Sequence, residues 1–148
     1  MNIKKQKFVD VPLFELTSFT LHELNRVGLE TFMFGDSAIR YADRYSVVNI
    51  DYTDNSKEYI ANMKARHGLY KDDIIELEKD VVYEREDGLT FQTSKVVYNK
   101  KTSIAIADTD YVSYRGENRV IGSYIKYDNS LNQVESKNVV ATYQLKER

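Results

Sequence analysis

Apolar and polar residues alternate in short runs along most of the chain, and polar turns separate these runs. Candidate strands arrive about every ten to fourteen residues from Leu29 onward. No segment of twelve or more residues keeps a 3.6-residue period, so helix is expected to be scarce. This rhythm is typical of sandwiches and barrels, and it predicts an all-β protein.

The strands belong to a repeat that is marked by four tyrosines, Tyr41, Tyr70, Tyr98 and Tyr127. Their spacings are 29, 28 and 29 residues, and a polar turn follows each of them. Apolar residues stand seven positions to either side, Phe34, Met63, Phe91 and Val120 before the tyrosines and Val48, Leu77, Ala105 and Val134 after them. One unit therefore reads strand, tyrosine, tight turn, strand, and its period predicts stacked hairpins that bury their apolar faces against each other.

The N-terminal region differs from the repeat. Residues 1–12 form a polar lead that ends at Pro12, and we expect this lead to be partly disordered. Residues 13–148 form the predicted domain. The partial alternation from Phe14 to Leu24 favours one or two strands, and Gly28 favours a hairpin turn after them rather than a helix.

Small or short residues stand two positions after the first apolar column, namely Asp36, Ala65, Thr93 and Gly122. If both columns face inward, large residues of the facing sheet fill the space, or an apolar slot stays open to a ligand with long hydrocarbon tails. The parity of the apolar positions also changes near the tyrosines, at Ile39, Val96 and Ile125. Either the strands carry bulges there, or both faces of the sheet are partly covered.

Composition narrows the classes of function. The chain is 42% apolar and 30% charged, as in a soluble globular domain. Its net charge of −2, without a long basic run, disfavours a dedicated nucleic-acid-binding protein. With no cysteine, disulfides and thiolate metal sites are excluded. No stretch approaches the ~20 apolar residues that a membrane-spanning helix needs.

Motifs for catalysis are missing from the sequence. The chain has neither a Gly-x-Ser-x-Gly elbow nor a phosphate-cradling glycine loop. His22 and His67 lie in different segments, and a core or rim position is the favoured interpretation for both. The acidic run 51–58 lacks the central glycine and the spacing of a calcium loop, so a solvated turn is favoured. We therefore expect no enzyme activity, no metal and no cofactor.

Three runs carry a resemblance to a known family. They are Tyr70-x5-Glu76-Leu77-x3-Val81, Asp87-Gly88-Leu89-Thr90-Phe91-x-Thr93 and Asn118-x-Val120-x-Gly122-x4-Tyr127. Together they resemble LptC, the periplasmic component of the lipopolysaccharide export bridge, whose repeat is shared by LptA and the N-terminal domain of LptD. The resemblance covers roughly Leu13 to Leu145. It implies a twisted, V-shaped antiparallel β-jellyroll of repeated hairpins, with about fifteen strands and two open edges.

The resemblance also implies a function, that of a periplasmic lipopolysaccharide-binding transfer protein. Such a protein receives lipid from an inner-membrane ABC transporter of the LptB/LptF/LptG type at its N-terminal edge. It passes the lipid to an LptA-type bridge protein at its C-terminal edge. An N-terminal helix, absent from this chain, would anchor it to the inner membrane. The acyl chains would lie in a groove lined by Phe19, Phe34, Val48, Met63, Leu77, Phe91, Ile104, Val120, Val134 and Tyr143. The partner edge strand would be Val139, Val140, Ala141, Thr142, Tyr143, Gln144 and Leu145.

Several alternatives stay open at this point. The chain is also compatible with a soluble LptA-type bridge protein whose signal has been cleaved, or with a β-repeat adaptor that pairs strand edges and binds no lipid. Phosphate groups of the lipid would meet the cations Arg40, Arg44, Lys57, Lys64, Arg66 and Lys71, unless these form an ordinary solvated face. Charged residues near the C-terminal edge, Lys137, Lys146 and Glu147, either guard that edge or tune its choice of partner.

Overall fold

The computed structural model describes residues 10–24, 26, 28, 30–55, 59–128, 130–131 and 133–145. These residues contain twelve strands and no helix, and all strands join one antiparallel sheet. The all-β prediction is confirmed. The described residues contain twelve strands rather than the expected number of about fifteen, because each of the first six strands continues across the sheet without a break. Most of the lead that was predicted to be partly disordered, residues 1–9, lies outside the described residues.

The first six strands form a meander in which each strand pairs with the next. They are β1 (Phe14–Leu24), β2 (Glu30–Arg40), β3 (Tyr45–Asp54), β4 (Ala61–Lys71), β5 (Ile74–Arg85) and β6 (Thr90–Asn99). The predicted turn at Gly28 lies between β1 and β2, and its φ of 81° is a conformation that glycine adopts at little cost.

The remaining six strands are shorter, and β6 divides them into two branches. They are β7 (Ile104–Ala107), β8 (Tyr111–Arg115), β9 (Asn118–Gly122), β10 (Tyr124–Asp128), β11 (Gln133–Lys137) and β12 (Val140–Thr142). One end of β6 pairs with β7, which continues to β10 and β11. The other end of β6 pairs with β8, which continues to β9 and β12. Consecutive short strands are therefore the two halves of longer strands that break near their middle.

A line of irregularities crosses the whole sheet. The register shifts between Lys64 and His67 in β4 and between Glu78 and Val81 in β5. Residues with positive φ mark the same line, namely Ser18 in β1, Asn49 in β3, Lys79 and Asp80 in β5, and Asn138 between β11 and β12. Bulges of this kind bend a strand and change which side chains point to each face. The change of parity near the tyrosines therefore comes from bulges, the first of the two interpretations.

We call this line the fold line and the two parts of the sheet its leaves. The first leaf contains β7, β10, β11 and the ends of β1–β6 nearest the tyrosine turns; the second contains β8, β9, β12 and the opposite ends of β1–β6. In a flat sheet, Lys100 and Glu23 would lie at opposite ends of strands about 30 Å long, at ~3.3 Å per residue. Their charged atoms are 3.9 Å apart. The leaves therefore face each other, as in a V-shaped β-jellyroll.

The hydrophobic core lies between the leaves beside the fold line. Its buried members are Met33, Ala38, Val47, Ile50, Ala65, Ile75, Leu77, Val81, Val96 and Ala107. Val81 is the least exposed of them at 1%. Burial of aliphatic side chains on both leaves drives the folding of the sheet onto itself.

The four predicted hairpins are present as β2–β3, β4–β5, β6–β7 and β10–β11. Tyr70, Tyr98 and Tyr127 lie in one row across the first leaf, with Ile75 and Ala105 on the strands between them.

Tyr41 departs from this row. It follows the last residue of β2, and Tyr45 takes the position opposite Tyr70. The guanidinium of Arg44 lies 4.0 Å from the centre of the Tyr41 ring. Tyr41 therefore belongs to the turn rather than to the row that the repeat predicts.

Candidate functional site

The inner face of the sheet, which the two leaves share, is tightly packed beside the fold line. Ala65, Thr93 and Gly122 lie there, as the small column predicts; the first two are buried and Gly122 is half-buried. A Cβ added to Gly122 would lie 2.7 Å from Cε1 of Tyr111, so the Tyr111 ring occupies that space. A large side chain therefore completes the packing at Gly122, but it comes from the adjacent strand of the same leaf and not from the facing leaf. Asp36 does not belong to this row.

Gly35 takes the inward position that the repeat assigns to Asp36. A Cβ on Gly35 would lie 2.4 Å from Cε1 of Phe19 and 2.8 Å from Cγ1 of Val47. Asp36 is exposed and accepts a hydrogen bond of 2.6 Å from Asn49 Nδ2. The aromatic ring of Phe19 thus packs directly on the backbone of β2.

Farther from the fold line, each leaf presents a second row of inward side chains, in which Met33 and Ile75 are buried and most of the others are half-buried. On the second leaf this row reads Met33, Tyr52, Met63, Tyr83, Phe91, Ser113 and Val120. On the first leaf it reads Tyr45, Tyr70, Ile75, Tyr98, Ala105, Tyr127 and Val134. We call the space between these two rows the cleft. Its lining is apolar and aromatic, with hydroxyl groups at the tyrosine tips.

The apolar inner face extends to both sides of the sheet without being covered. On β1, Phe14, Leu16 and Leu21 point inward and are 47%, 40% and 47% exposed. On β11, Val134 points inward and is 57% exposed. The facing leaf does not reach these side chains, so the cleft is open at both ends.

Six of the ten predicted groove residues lie on the inner face. They are Phe19, Met63, Leu77, Phe91, Val120 and Val134. Leu77 belongs to the packed core at 3% exposure, so it supports the cleft from beneath rather than lining it.

The other four predicted groove residues lie elsewhere. Phe34 and Val48 are 45% and 43% exposed on the outer face, because their neighbours Met33 and Val47 take the inward positions. Ile104 is on the outer face, since Ala105 is the residue in the inner row. Tyr143 follows β12 and is exposed. The tyrosine period counts from Tyr41, whereas Arg40 is the β2 residue in the row with Tyr45 and Tyr70, so Phe34 and Val48 are each one residue away from an inward position.

Sequence reasoning missed several inner-face residues. Tyr52 and Tyr83 occupy central positions of the second-leaf row, and Leu16 and Leu21 line the open end at β1. Alternation within β1 carries a signal for the last two, since Phe14 and Leu16 are two residues apart, as are Phe19 and Leu21. The inward positions of Tyr52 and Tyr83 could not be predicted without knowing where the bulges lie.

Lys100 bridges the mouth of the cleft, between the free margins of the leaves. Its Nζ donates a hydrogen bond of 3.0 Å to the Tyr70 hydroxyl on the first leaf and lies 3.9 Å from Glu23 Oε2 on the second. The bond to Tyr70 raises the pKa of Lys100, while burial acts against this. Burial raises the pKa of Tyr52, whose side chain lies near the ammonium. The mouth thus combines a cation with tyrosine hydroxyls.

A second charged group lies at the turn between β5 and β6. Arg85 Nε and Nη2 each donate a hydrogen bond of 2.7 Å to one carboxylate oxygen of Asp87. Arg115 Nη1 lies 3.7 Å from the same carboxylate. The bonds from Arg85 lower the pKa of Asp87 to about 2. This turn is therefore held by a two-pronged ion pair, and both of its charges are matched.

The cations proposed to meet phosphate groups are mostly paired with carboxylates. Arg44 Nη1 lies 2.8 Å from Asp43, and Lys71 Nζ lies 3.3 Å from the same side chain. Lys64 pairs with Asp51 and Arg66 with Asp80. These contacts fit the alternative of an ordinary solvated face.

Two members of that set are not in such pairs. Arg40 lies over the ring of Tyr45, at 4.4 Å from its centre. Lys57 lies outside the described residues.

Two shallow depressions lie on the outer face of the second leaf, with volumes of about 390 and 440 Å³. Both are bordered by Gln92 and Val112, whose side chains point away from the cleft. The first also meets the turn between β8 and β9. They belong to a different surface from the inner face.

The predicted partner strand is shorter than expected. Only Val140–Thr142 form a strand, β12, which pairs with β9, and Gln144 N then donates to Asn118 Oδ1 at 3.2 Å. Lys146 and Glu147 lie outside the described residues. Within the described part of the chain, β1, β11 and β12 each pair with one strand, so each leaves one edge of its backbone unpaired.

Comparisons with known proteins identified no relative from which a function could be inferred. No family model matches the chain, and no curated protein matches it. Among the residues that the structure describes, no three or more His, Asp or Glu side chains group in a way that could hold a metal ion. The same residues contain no helix suited to crossing a membrane.

Proposed function

We propose that this domain is a lipid-carrying β-jellyroll of lipopolysaccharide export, of the LptC kind. In this role the acyl chains lie against the inner face and the polar part of the lipid stays at the mouth of the cleft. The protein receives lipid from an inner-membrane transporter of the LptB/LptF/LptG type in the periplasm and passes it to an LptA-type bridge protein. It releases the lipid unchanged.

The main support is the apolar inner face that stays uncovered at both sides of the sheet. Leu16 and Leu21 at one end and Val134 at the other are exposed but lie in line with buried residues of the same face. A domain that only needed a core would gain by covering these side chains. A lipid that slides through the domain needs such an apolar path from edge to edge.

Acyl chains suit this lining energetically. Each methylene removed from water contributes about 0.8 kcal/mol, so several chains bind without a dedicated polar motif. The half-buried row of Met63, Tyr83 and Phe91 offers flexible and aromatic side chains that adapt to such chains. The unpaired edges of β1 and β12 offer backbone groups to neighbouring domains, which would extend the path.

The test uses charged residues on the inner and outer faces. Leu16→Asp and Val134→Asp place a carboxylate in the open ends of the cleft, whereas Val48→Asp places one on the outer face at comparable exposure. We expect photocrosslinking to lipopolysaccharide to fall in the first two variants and to persist in the third. Leu77 is unsuitable, because a charge in the core would unfold the domain.

Circular dichroism and urea unfolding verify that each variant is folded before it is compared. If folded Leu16→Asp and Val134→Asp both crosslink as the wild type does, lipid carriage along the inner face is wrong.

A second candidate is an adaptor that joins other β-domains by edge pairing and binds no lipid. The packing beside the fold line favours it, because the Tyr111 ring fills the space at Gly122. Deleting residues 139–145 would then abolish binding to a bridge partner, and wild-type protein would show no uptake of acylated lipid. Scoring lipid and partner in the same pulldown separates the two candidates.

A further inference from the structure

We propose that Lys100, together with the hydroxyl group of Tyr70, forms a binding site for a phosphate monoester at the mouth of the cleft. The inference rests on the proposed function and adds to it the polar end of the lipid. The phosphate would bind between the two leaves, and the acyl chains would extend from it onto the inner face.

The ammonium group of Lys100 is placed to accept an anion. Its side chain is 34% exposed, and it makes one hydrogen bond, of 3.0 Å, to Tyr70. An ammonium has three donors. The Glu23 carboxylate at 3.9 Å is beyond hydrogen-bonding distance, so this ion pair leaves donors for a ligand. A phosphate oxygen within 3 Å would form a stronger contact than Glu23 does.

The tyrosines connect this cation to the apolar rows. Tyr70 lies beside Ile75 on the first leaf, and Tyr52 lies between Met33 and Met63 on the second. Both rings therefore belong to the cleft lining, and the Tyr70 hydroxyl lies 3.0 Å from the ammonium of Lys100. The site has an anion-binding end that continues into an apolar surface, which matches a phosphorylated amphiphile.

Two other cations near the leaves are already bound by carboxylates. Arg85 is bound by both oxygens of Asp87, and Arg44 by Asp43 at 2.8 Å. Displacing those carboxylates would cost the ligand more than displacing Glu23 from its distant position. Of these three cations, Lys100 has the carboxylate partner that an anionic ligand would displace most easily.

The experiment compares two probes with the same chain, oleoyl lysophosphatidate and monooleoylglycerol, by calorimetric titration below their micelle concentrations. We expect wild-type protein to bind the phosphate-bearing probe about tenfold more tightly, as a charge-assisted hydrogen bond provides. Lys100→Met should remove this preference and keep binding of monooleoylglycerol. Lys101→Met, an equal change of charge at an exposed position of the same turn, should leave the preference intact.

Replacing the competing carboxylate gives a result of opposite sign. Glu23→Gln should raise the affinity for lysophosphatidate, because the anion no longer displaces a charged partner. If Lys100 only ties the leaves together, Glu23→Gln instead lowers the free energy of unfolding and brings no gain in affinity.

The remaining outcomes each decide one point. If neither probe binds the wild type, lipid carriage fails, and this inference fails with it. If both probes bind equally, or if the preference survives in Lys100→Met, this inference fails and lipid carriage stands. Inorganic phosphate titrated alone should bind far more weakly than lysophosphatidate, and an equal affinity would overturn a lipid ligand for this site.

Discussion

The hydrogen bond between Tyr111 and Ser136 ties the second leaf to the first and offers a direct test of the folded sheet. The two side-chain oxygens are 2.6 Å apart, and Ser136 Oγ also donates to the carbonyl oxygen of Tyr124 at 2.6 Å. A serine hydroxyl has a single proton, and a carbonyl oxygen only accepts. The Tyr111 hydroxyl is therefore the donor to Ser136.

The direction of this bond determines what each substitution costs. Tyr111→Phe removes the donor but keeps the ring that stacks on Phe91 at 5.2 Å, so it should cost about 1 kcal/mol. Ser136→Ala leaves the buried Tyr111 hydroxyl without its acceptor and the Tyr124 carbonyl without its donor. It should cost about 1–3 kcal/mol. The double variant should be less destabilised than the sum, by about 1 kcal/mol.

Urea unfolding of the four proteins measures this cycle. With a slope of about 2 kcal/mol per molar, a loss of 1 kcal/mol lowers the midpoint by about 0.5 M. Tyr114→Phe is the matched control, because Tyr114 lies on the outer face of β8, the strand that also carries Tyr111. Its hydroxyl accepts a 3.2 Å hydrogen bond from Gln92 of β6. It should change the unfolding free energy by less than about 0.5 kcal/mol. Additive costs in the cycle would refute direct contact between the leaves at this point.

Three further predictions follow from the packing and the charges. Leu77→Ala should lower the unfolding free energy by about 2–5 kcal/mol, whereas Val48→Ala on the outer face should cost less than about 1 kcal/mol, and equal losses in urea unfolding would contradict the assigned faces. Arg85 holds the pKa of Asp87 at about 2. The stability that Asp87 contributes is therefore present above pH ~4 and lost as the pH falls towards 2. Asp87→Asn should unfold more easily than wild type at pH 7, with the difference shrinking in acid; a constant difference would show that the ion pair is not its source. Gly122→Ala would put a Cβ 3.0 Å from a backbone oxygen, and it should lower the thermal midpoint, while an unchanged midpoint would show that the strands there separate easily.

The order of hairpins was predictable from the sequence because it depends on local signals. Turn residues and alternating apolar positions define β4–β5 and β6–β7 without any knowledge of distant contacts. The tyrosine period placed three of its four members, Tyr70, Tyr98 and Tyr127, in one row of the sheet. The prediction was wrong for Tyr41, because β2 ends at Arg40 and Tyr41 therefore lies in the turn rather than in the row.

The faces of individual side chains were less predictable. A single bulge exchanges the inner and outer faces for the rest of a strand, and the sequence marks bulges only weakly. Phe34 shows a second source of error, because the repeat counts from Tyr41 although Arg40 is the β2 residue in the row, so Met33 rather than Phe34 points inward. The polar end of the candidate site was also hidden, since Lys100 and Glu23 are 77 residues apart and meet only when the sheet folds.

The division of β6 between two branches has a mechanical consequence. Up to β6, widening the angle between the leaves requires bending continuous strands, whereas beyond it the chain passes between the leaves through the short segments at 108–110, 123 and 138–139. Rotation about these joints leaves the ladders on either side intact. We therefore expect the angle between the leaves to widen more readily on the C-terminal side of β6 than along the continuous strands β1–β6.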